Sequence, residues 1–104
     1  MITVLVQFKL TQTISHNQAR ELFSSTADKY RDIPGLIRKY YILSSDGKTA
    51  GGVYLWKSQD EAELFYTDEW QQFISDKYSA LPTLDYFYSP VIVDNLTEEI
   101  VVDD

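Results

Sequence analysis

The sequence predicts a ferredoxin-like α+β subunit with the order strand, helix, strand, strand, helix, strand (βαββαβ). Runs rich in β-branched and aromatic residues flank Asp46-Gly47, which predicts a β-hairpin at the centre of the chain. Two segments with helical apolar periodicity, each opened by a capping-box pattern, lie on either side of it. With 104 residues the chain is long enough for one domain. We therefore expect an antiparallel sheet with two helices on one face.

The first strand and the first helix follow from two different periodicities. Residues 2–9 alternate with period two, with one wholly apolar face and one mixed face that includes Gln7 and could line a cavity. Ser15 and Gln18 form a capping-box pattern that predicts a helix start. The apolar stripe of that helix continues to Tyr30, and Pro34-Gly35 ends it. Its members are Ala19, Leu22, Phe23, Ala27 and Tyr30.

The central hairpin is predicted over residues 37–43 and 51–56, and its alternation assigns side chains to faces. One face of the first strand carries Ile37, Lys39, Tyr41 and Leu43, and the other carries Arg38, Tyr40 and Ile42. On the second strand we expect Gly51, Val53 and Leu55 to meet the helices. Gly52, Tyr54 and Trp56 would then face a cavity. The paired glycines predict a close approach by another backbone or helix.

The second helix begins at a Ser58–Glu61 capping box and presents apolar residues as far as Tyr78. Thr67-Asp68 could cap a separate second segment, so a break there remains open. Leu81-Pro82 ends the helix, and residues 83–89 read as the last strand. Pro90 cannot donate to a strand ladder, which indicates an edge or a bulge.

We divide the chain into a single domain over residues 1–95 and an acidic C-terminal tail over residues 96–104. From Asp85 onward the sequence has acidic residues and no basic ones, and an apolar run at residues 100–102 leaves two readings open. The tail is either disordered or an added strand against a partner subunit. Each sheet strand has apolar or aromatic residues on both faces, so we expect two sheets to meet in a homodimer.

Composition excludes several classes of function. A net charge of −7 argues against nucleic-acid binding, and the absence of cysteine excludes disulfides and thiolate chemistry. Lys9 interrupts the first apolar run before a signal peptide or membrane helix could form, so we expect a cytoplasmic protein with no membrane association. The only histidine, His16, is expected at the surface of the first helical turn, and no metal site is predicted.

The sequence resembles the YdhR-like monooxygenase family of the dimeric α/β-barrel superfamily. The resemblance rests on residues 33–36 (IPGL) with Lys39 three positions on, on residues 51–56 (GGVYLW), and on the capped helix that follows. It implies a ferredoxin-like subunit that dimerises into a barrel, with a cavity between sheet and helices. Relatives include cofactor-independent monooxygenases that oxidise polycyclic phenols, haem-degrading enzymes and isomerases of small lactones. Haem-degrading relatives need an axial histidine on the second helix, and this sequence has none there.

The residues and the resemblance together indicate a cofactor-independent monooxygenase for a small aromatic or polyketide-like substrate. The alternative is a dimeric module that binds or senses a small hydrophobic ligand without turnover, and a lactone isomerase is a third possibility. Lys39 could stabilise an oxyanion and Tyr54 could donate a hydrogen bond to it, so these two are the catalytic candidates. No general base is evident. The candidate substrate-binding residues are Gln7, Tyr41, Trp56 and Trp70.

Each of these residues also has a purely structural interpretation. Lys39 could be a solvated charge at a strand edge, the tyrosines could belong to a subunit interface, and Trp56 and Trp70 could be ordinary core. Alternation allows only one of Arg38 and Lys39 to enter a cavity, and we choose Lys39 from its place in the family motif.

Overall fold

The computed structural model describes all 104 residues, and it contains the predicted strands and helices together with further elements. The strands are β1 (Ile2–Lys9), β2 (Leu36–Leu43), β3 (Thr49–Trp56), β4 (Thr83–Tyr88), β5 (Val91–Asp94) and β6 (Glu99–Val102). The α-helices are α1 (His16–Ser24), α2 (Gln59–Phe65) and α3 (Asp68–Tyr78), and a 3-10 helix spans Ala27–Tyr30. None of the helices is long and apolar enough to cross a membrane.

The main sheet has four strands in the order β2-β3-β1-β4, and every neighbouring pair is antiparallel. This order with helical crossovers is the ferredoxin-like arrangement, so the predicted fold class is confirmed. The apolar face of β1 and the helices bury one shared core, which includes Val4, Val6, Ala19, Ala62 and Ile74. The core therefore lies on one side of the sheet.

The register corrects the predicted faces of β3. Val4, buried in the core, pairs with Tyr54, while Leu5 on the opposite face pairs with Val53. Tyr54 and Trp56 consequently lie beneath the helices, and Val53 and Leu55 lie on the other face, which we call the open face. The prediction that Gly51, Val53 and Leu55 meet the helices was wrong, since strand alternation fixes which residues share a face without saying which face is covered.

A bulge corrects one position of β2. The pairing runs from Leu36–Trp56 directly to Arg38–Leu55, so Ile37 is the extra residue and does not share a face with Lys39. From Lys39 onward the side chains of β2 alternate between the two faces as predicted, and Lys39 pairs with Tyr54 of β3.

The glycine pair of β3 sits at a close approach, as predicted. A Cβ atom on Gly51 would lie 1.8 Å from the carbonyl oxygen of Val6 on β1. One on Gly52 would lie 3.1 Å from the Cε atom of Lys39. These positions therefore exclude larger side chains because backbone and the lysine stem already fill the space.

Both helical regions begin where predicted, but α1 ends early and the second region is interrupted. Ser15 and Gln18 form the full capping box of α1, yet the α-helix stops at Ser24 and the chain continues as the 3-10 helix that ends at Tyr30. The second helical region is broken into α2 and α3, with the Thr67 side chain accepting from the Trp70 N–H at the second start. The break that the sequence left open is therefore present.

The C-terminal residues form a hairpin of β5 and β6 rather than an unstructured tail. It stands over the open face of the main sheet, where Arg38 contacts Asp94 at 3.5 Å and the amino terminus contacts Asp103. Between hairpin and sheet lies a largely apolar groove of about 700 Å³. Residues 100–102 thus lie in a strand, but its partner is β5 of the same chain, whereas the sequence reading had paired it with a partner subunit.

Candidate functional site

The site is built around Lys39, which enters the core side of the sheet from the middle of β2 and is half-buried. Its Nζ atom lies 3.2 Å from the ring centre of Tyr30, 3.7 Å from that of Tyr41 and 4.8 Å from that of Tyr54. Because the three tyrosines come from the 3-10 helix, β2 and β3, the fold itself assembles this arrangement. We call Tyr30, Tyr41 and Tyr54 the tyrosine cage.

The Lys39 amine has no counter-charge. The ion pairs of the molecule are Met1–Asp103, Asp28–Arg31 and Arg38–Asp94, and no side-chain hydrogen bond involves its Nζ atom. No buried side-chain nitrogen or oxygen lacks a hydrogen-bond partner. Since the Lys39 amine has no such partner, it is not fully buried and keeps some contact with solvent.

Burial among apolar and aromatic groups lowers the pKa of Lys39 to about 6, and the positive charge of Lys29 adds to this effect. At pH 7 the amine is therefore mostly neutral. Burial acts oppositely on the tyrosines and raises the pKa of Tyr54 and of Tyr41. Their hydroxyls stay protonated at neutral pH and can donate hydrogen bonds.

Two spaces meet at Lys39. An interior cavity of about 10 Å³ lies between sheet and helices, with Lys39, Tyr41, Tyr54 and Trp70 in its wall, and it has room for one water at most. An open groove of about 440 Å³ lies on the outer side, between the 3-10 helix and β2, and we call it the Lys39 groove. Its wall consists of Ala27, Tyr30, Arg31, Asp32, Leu36, Ile37, Arg38, Lys39 and Tyr41. Only the groove has the volume that a small organic ligand needs.

Of the sequence-predicted site residues, Lys39, Tyr41 and Tyr54 lie together, as the structure shows. Gln7 does not join them. It pairs with Gly51 on the open face, so the sheet separates it from Lys39. The expectation that Gln7 shares the cavity was therefore wrong, because the mixed face of β1 is the one that the helices leave uncovered.

Comparison with known proteins gives the chain a family. The family described as "Putative mono-oxygenase ydhR" matches residues 4–80, which hold β1 from Val4 onward, β2, β3 and all the helices. The chain belongs to this family. A search of curated proteins found no match.

A solved structure with the same fold is a monooxygenase from the gene ActVA-Orf6 of Streptomyces coelicolor, crystallised in complex with the ligand nanaomycin D. The two chains are 19% identical, with a TM-score of 0.64, and the alignment covers 85% of this chain and 86% of the other. At this identity the likeness confirms the ferredoxin-like fold of this ydhR-family protein.

The two tryptophans of the ydhR-family protein lie in the core beneath the helices. Trp56 donates from Nε1 to the Tyr66 hydroxyl at 3.0 Å, and Trp70 donates to the Tyr30 hydroxyl at 3.3 Å. The rings of Phe65 and Tyr66 contact both indoles, with centroid distances of 5.0 to 5.7 Å, and so fill the space between them. In this conformation the indoles therefore cannot sandwich a substrate ring.

Sequence reasoning missed Tyr30 as a site residue. Its position at the end of the helical stripe predicted burial only, and nothing in that spacing indicates a neighbour on β2. The early end of α1 is what brings Tyr30 over Lys39, while Trp70 holds its hydroxyl. Thr26 was missed as well. Its hydroxyl lies 2.8 Å from the Tyr41 hydroxyl and fixes the position of that ring.

The chemistry available at this site is that of an amine and three phenols in an apolar setting. No group of three or more His, Asp or Glu side chains is placed to hold a metal ion. The site can bind a flat ring, donate hydrogen bonds to an oxygen atom and accept or hold one proton.

Proposed function

We propose that this ydhR-family protein is a cofactor-independent monooxygenase that acts on a small aromatic or polyketide-like substrate. The observation that carries the proposal is the Lys39 amine within the tyrosine cage, open on one side to the Lys39 groove. Family membership supports oxygenation as the reaction class, and the ligand of the related ActVA-Orf6 structure supports the substrate class.

The reaction needs only substrate and dioxygen. An electron-rich phenol or anthrone becomes a reductant once it is deprotonated. For an anthrone, dioxygen converts the ring CH₂ to C=O, with one oxygen atom retained in the product and the other leaving as water. The substrate carbon supplies the four electrons that dioxygen accepts. The protein has to bind the ring, favour its anion and restrict water.

In this proposal the substrate ring lies in the Lys39 groove, with its acidic oxygen or carbon toward Lys39 and its face toward Tyr41. Arg31 at the groove wall favours an anionic ligand over a neutral one. Tyr54 lies behind Lys39 and supports the amine through its ring. Trp56 and Trp70 do not contact the substrate in this proposal. Their indole N–H groups donate hydrogen bonds to the hydroxyls of Tyr66 and Tyr30 and so position these rings.

A binding or sensing module without turnover is the second candidate. The filled interior favours it, since the cavity of about 10 Å³ cannot enclose a substrate away from bulk water. Oxygen uptake separates the two candidates. The protein, with no flavin or metal added, is mixed with a panel of anthrones and hydroquinones, and uptake is compared with the same mixture containing the Lys39→Ala variant.

We expect uptake above the protein-free rate, reduced in Lys39→Ala and unchanged in Lys57→Ala, whose side chain is exposed outside the site. Binding of the same compounds, followed by quenching of tryptophan fluorescence, without uptake above the protein-free rate would leave the second candidate and end the first.

We also propose that two copies of the chain associate through the open face. Tyr40 is 55% exposed and Phe87 54% exposed there, and the β5–β6 hairpin adds Val91 and Val93. A single chain would leave this apolar surface in water. Tyr41, Tyr54 and Trp56 do not belong to this face, because they lie on the side of the sheet that the chain's own helices cover. Light scattering at micromolar concentration should give about twice 12.1 kDa, and a stable 12.1 kDa species would refute association.

A further inference from the structure

Lys39 has the placement of a proton acceptor rather than of a fixed cation. Its stem passes beside Gly52, where a Cβ atom would lie 3.1 Å from Cε, and this leaves the amine among ring faces instead of carboxylates. A lysine that serves as a permanent positive charge normally has an anionic partner or full hydration, and this amine has neither.

The groups around the Lys39 amine are aromatic rings and a second lysine, and this environment allows the amine to be neutral or protonated. Tyr30 faces it from the 3-10 helix, Tyr41 from its own strand and Tyr54 from β3, while Trp70 and Tyr78 of α3 line the same interior cavity. Lys29 is the neighbouring cation, held over the Phe73 ring at 3.4 Å. On the outer side the Lys39 groove adds Arg31, Asp32 and Arg38. The interior wall thus contains no carboxylate, and Asp32 is the single acidic group of the groove.

The same rings that disfavour hydration of an ammonium also stabilise it once it forms. An ammonium over the face of an aromatic ring is attracted by the ring quadrupole, and three faces surround this one. The pKa of about 6 keeps the amine mostly neutral at pH 7 before a ligand arrives. A bound anion would then add the missing counter-charge.

We propose that Lys39 is the general base of the site and takes the proton from a phenolic or anthrone ligand bound in the Lys39 groove. The O–H or C–H bond of the ligand breaks and its electron pair stays on the ligand as phenolate or enolate. An N–H bond forms at Nζ, and the positive charge remains beside the new anion. This inference rests on the proposed function and supplies the base that the sequence did not reveal.

A count of released protons tests the inference without turnover. The probe is 2-naphthol, whose anion has its own absorption band, with proton release measured by calorimetry in buffers of different ionisation enthalpy. If Lys39 is a neutral base, the anion band appears at pH 7 with much less than one proton released per bound ligand, since a pKa of about 6 leaves most of the amine free to take up the ligand's proton. At pH 5 the amine is already protonated, so anion binding releases close to one proton.

The Lys39→Arg variant is the matched control, because guanidinium keeps the charge but cannot accept a proton. It should release about one proton per bound anion at both pH values. In oxygen uptake it should lose at least tenfold in rate, and ethylamine should partly restore the rate of Lys39→Ala. A merely structural role for Lys39 predicts no such rescue.

The outcomes separate the two proposals. Release of a full proton at pH 7 by the wild-type protein, with the anion band present, overturns the base and leaves the monooxygenase standing. Absence of the anion band together with absence of oxygen uptake overturns the monooxygenase and the base with it. An anion band with almost no proton release and no uptake keeps the base and ends the oxygenase.

Discussion

Replacing Lys39 by methionine should make the protein more stable. Methionine keeps the length and most of the apolar volume of the lysine stem and removes the amine, which has no counter-charge in the folded chain. The fold moves the pKa of Lys39 from 10.5 to about 6, and each pKa unit corresponds to about 1.36 kcal/mol. The upper bound on the cost of the charged amine is therefore about 6 kcal/mol. Since the half-buried amine keeps some hydration, we expect a gain of about 1 to 4 kcal/mol.

The lowered pKa of Lys39 also determines how the stability difference between Lys39→Met and the wild type changes with pH. Between pH 6 and pH 10.5 the unfolded chain holds a proton on Lys39 that the folded chain has released. The free energy of unfolding of the wild-type protein therefore rises with pH across that window, and the destabilising effect is complete below pH 6. The advantage of Lys39→Met should be largest at pH 6 and below and should shrink toward pH 9.

Urea denaturation followed by tryptophan fluorescence measures the difference, with protein concentration held constant because association would also change stability. Lys57→Met is the control, since Lys57 is exposed, and it should stay within about 0.5 kcal/mol of the wild type. A Lys39→Met variant that is less stable than wild type at pH 7, or a difference that stays constant from pH 6 to pH 9, would refute the reasoning.

Three further changes test other parts of the structure. Tyr66→Phe leaves the buried Nε1 donor of Trp56 without its acceptor and should cost about 1 to 3 kcal/mol in urea denaturation, whereas Tyr88→Phe, at a residue that is 82% exposed, should cost almost nothing; equal effects would contradict the role of the bond. Gly51→Ala places a Cβ atom 1.8 Å from the Val6 carbonyl oxygen and should cost about 3 kcal/mol or more, and an unchanged denaturation midpoint would show that the strands can separate freely there. Lys39→Ala should weaken binding of an acidic phenol by about 1 to 3 kcal/mol in fluorescence titration and hardly change binding of a neutral analogue of the same shape, so equal weakening would argue against a charge-based role.

The sequence predicted the strands well because alternation and turn residues are local signals. It could not predict which face of β3 the helices cover, since Val53 and Leu55 are as apolar as Tyr54. The deciding information is the register with β1, where the purely apolar face holds Val4 opposite Tyr54. That pairing joins residues fifty positions apart, and a slip of one residue would exchange the two faces. The misplacement of Gln7 has the same cause.

The bulge at Ile37 and the early end of α1 were missed for a related reason. Both are tertiary adjustments: the bulge re-aims one strand edge, and the switch to a 3-10 helix lets Tyr30 reach the sheet. Helical periodicity alone continues smoothly through Ser25 and Thr26, so the sequence gives no stop signal until Pro34. The tyrosine cage depends on that switch, and for this reason Lys39 could be chosen from the sequence while its surroundings could not.

The cost of Lys39 to stability is itself an argument about function. A surface lysine at a strand edge would be hydrated, and a core position would be filled more favourably by methionine or leucine. The protein instead holds an amine that pairs with no carboxylate, close to a second lysine, among three ring faces and at the wall of an open groove. Groups with strongly perturbed pKa values gather where proton transfer is needed, and such sites retain unfavourable interactions that the rest of the fold offsets. We expect Lys39→Met to be more stable than the wild type and unable to bind a phenolate. That result would show that the Lys39 amine lowers the stability of the fold and is needed to ionise the ligand, as expected of a general base in this position.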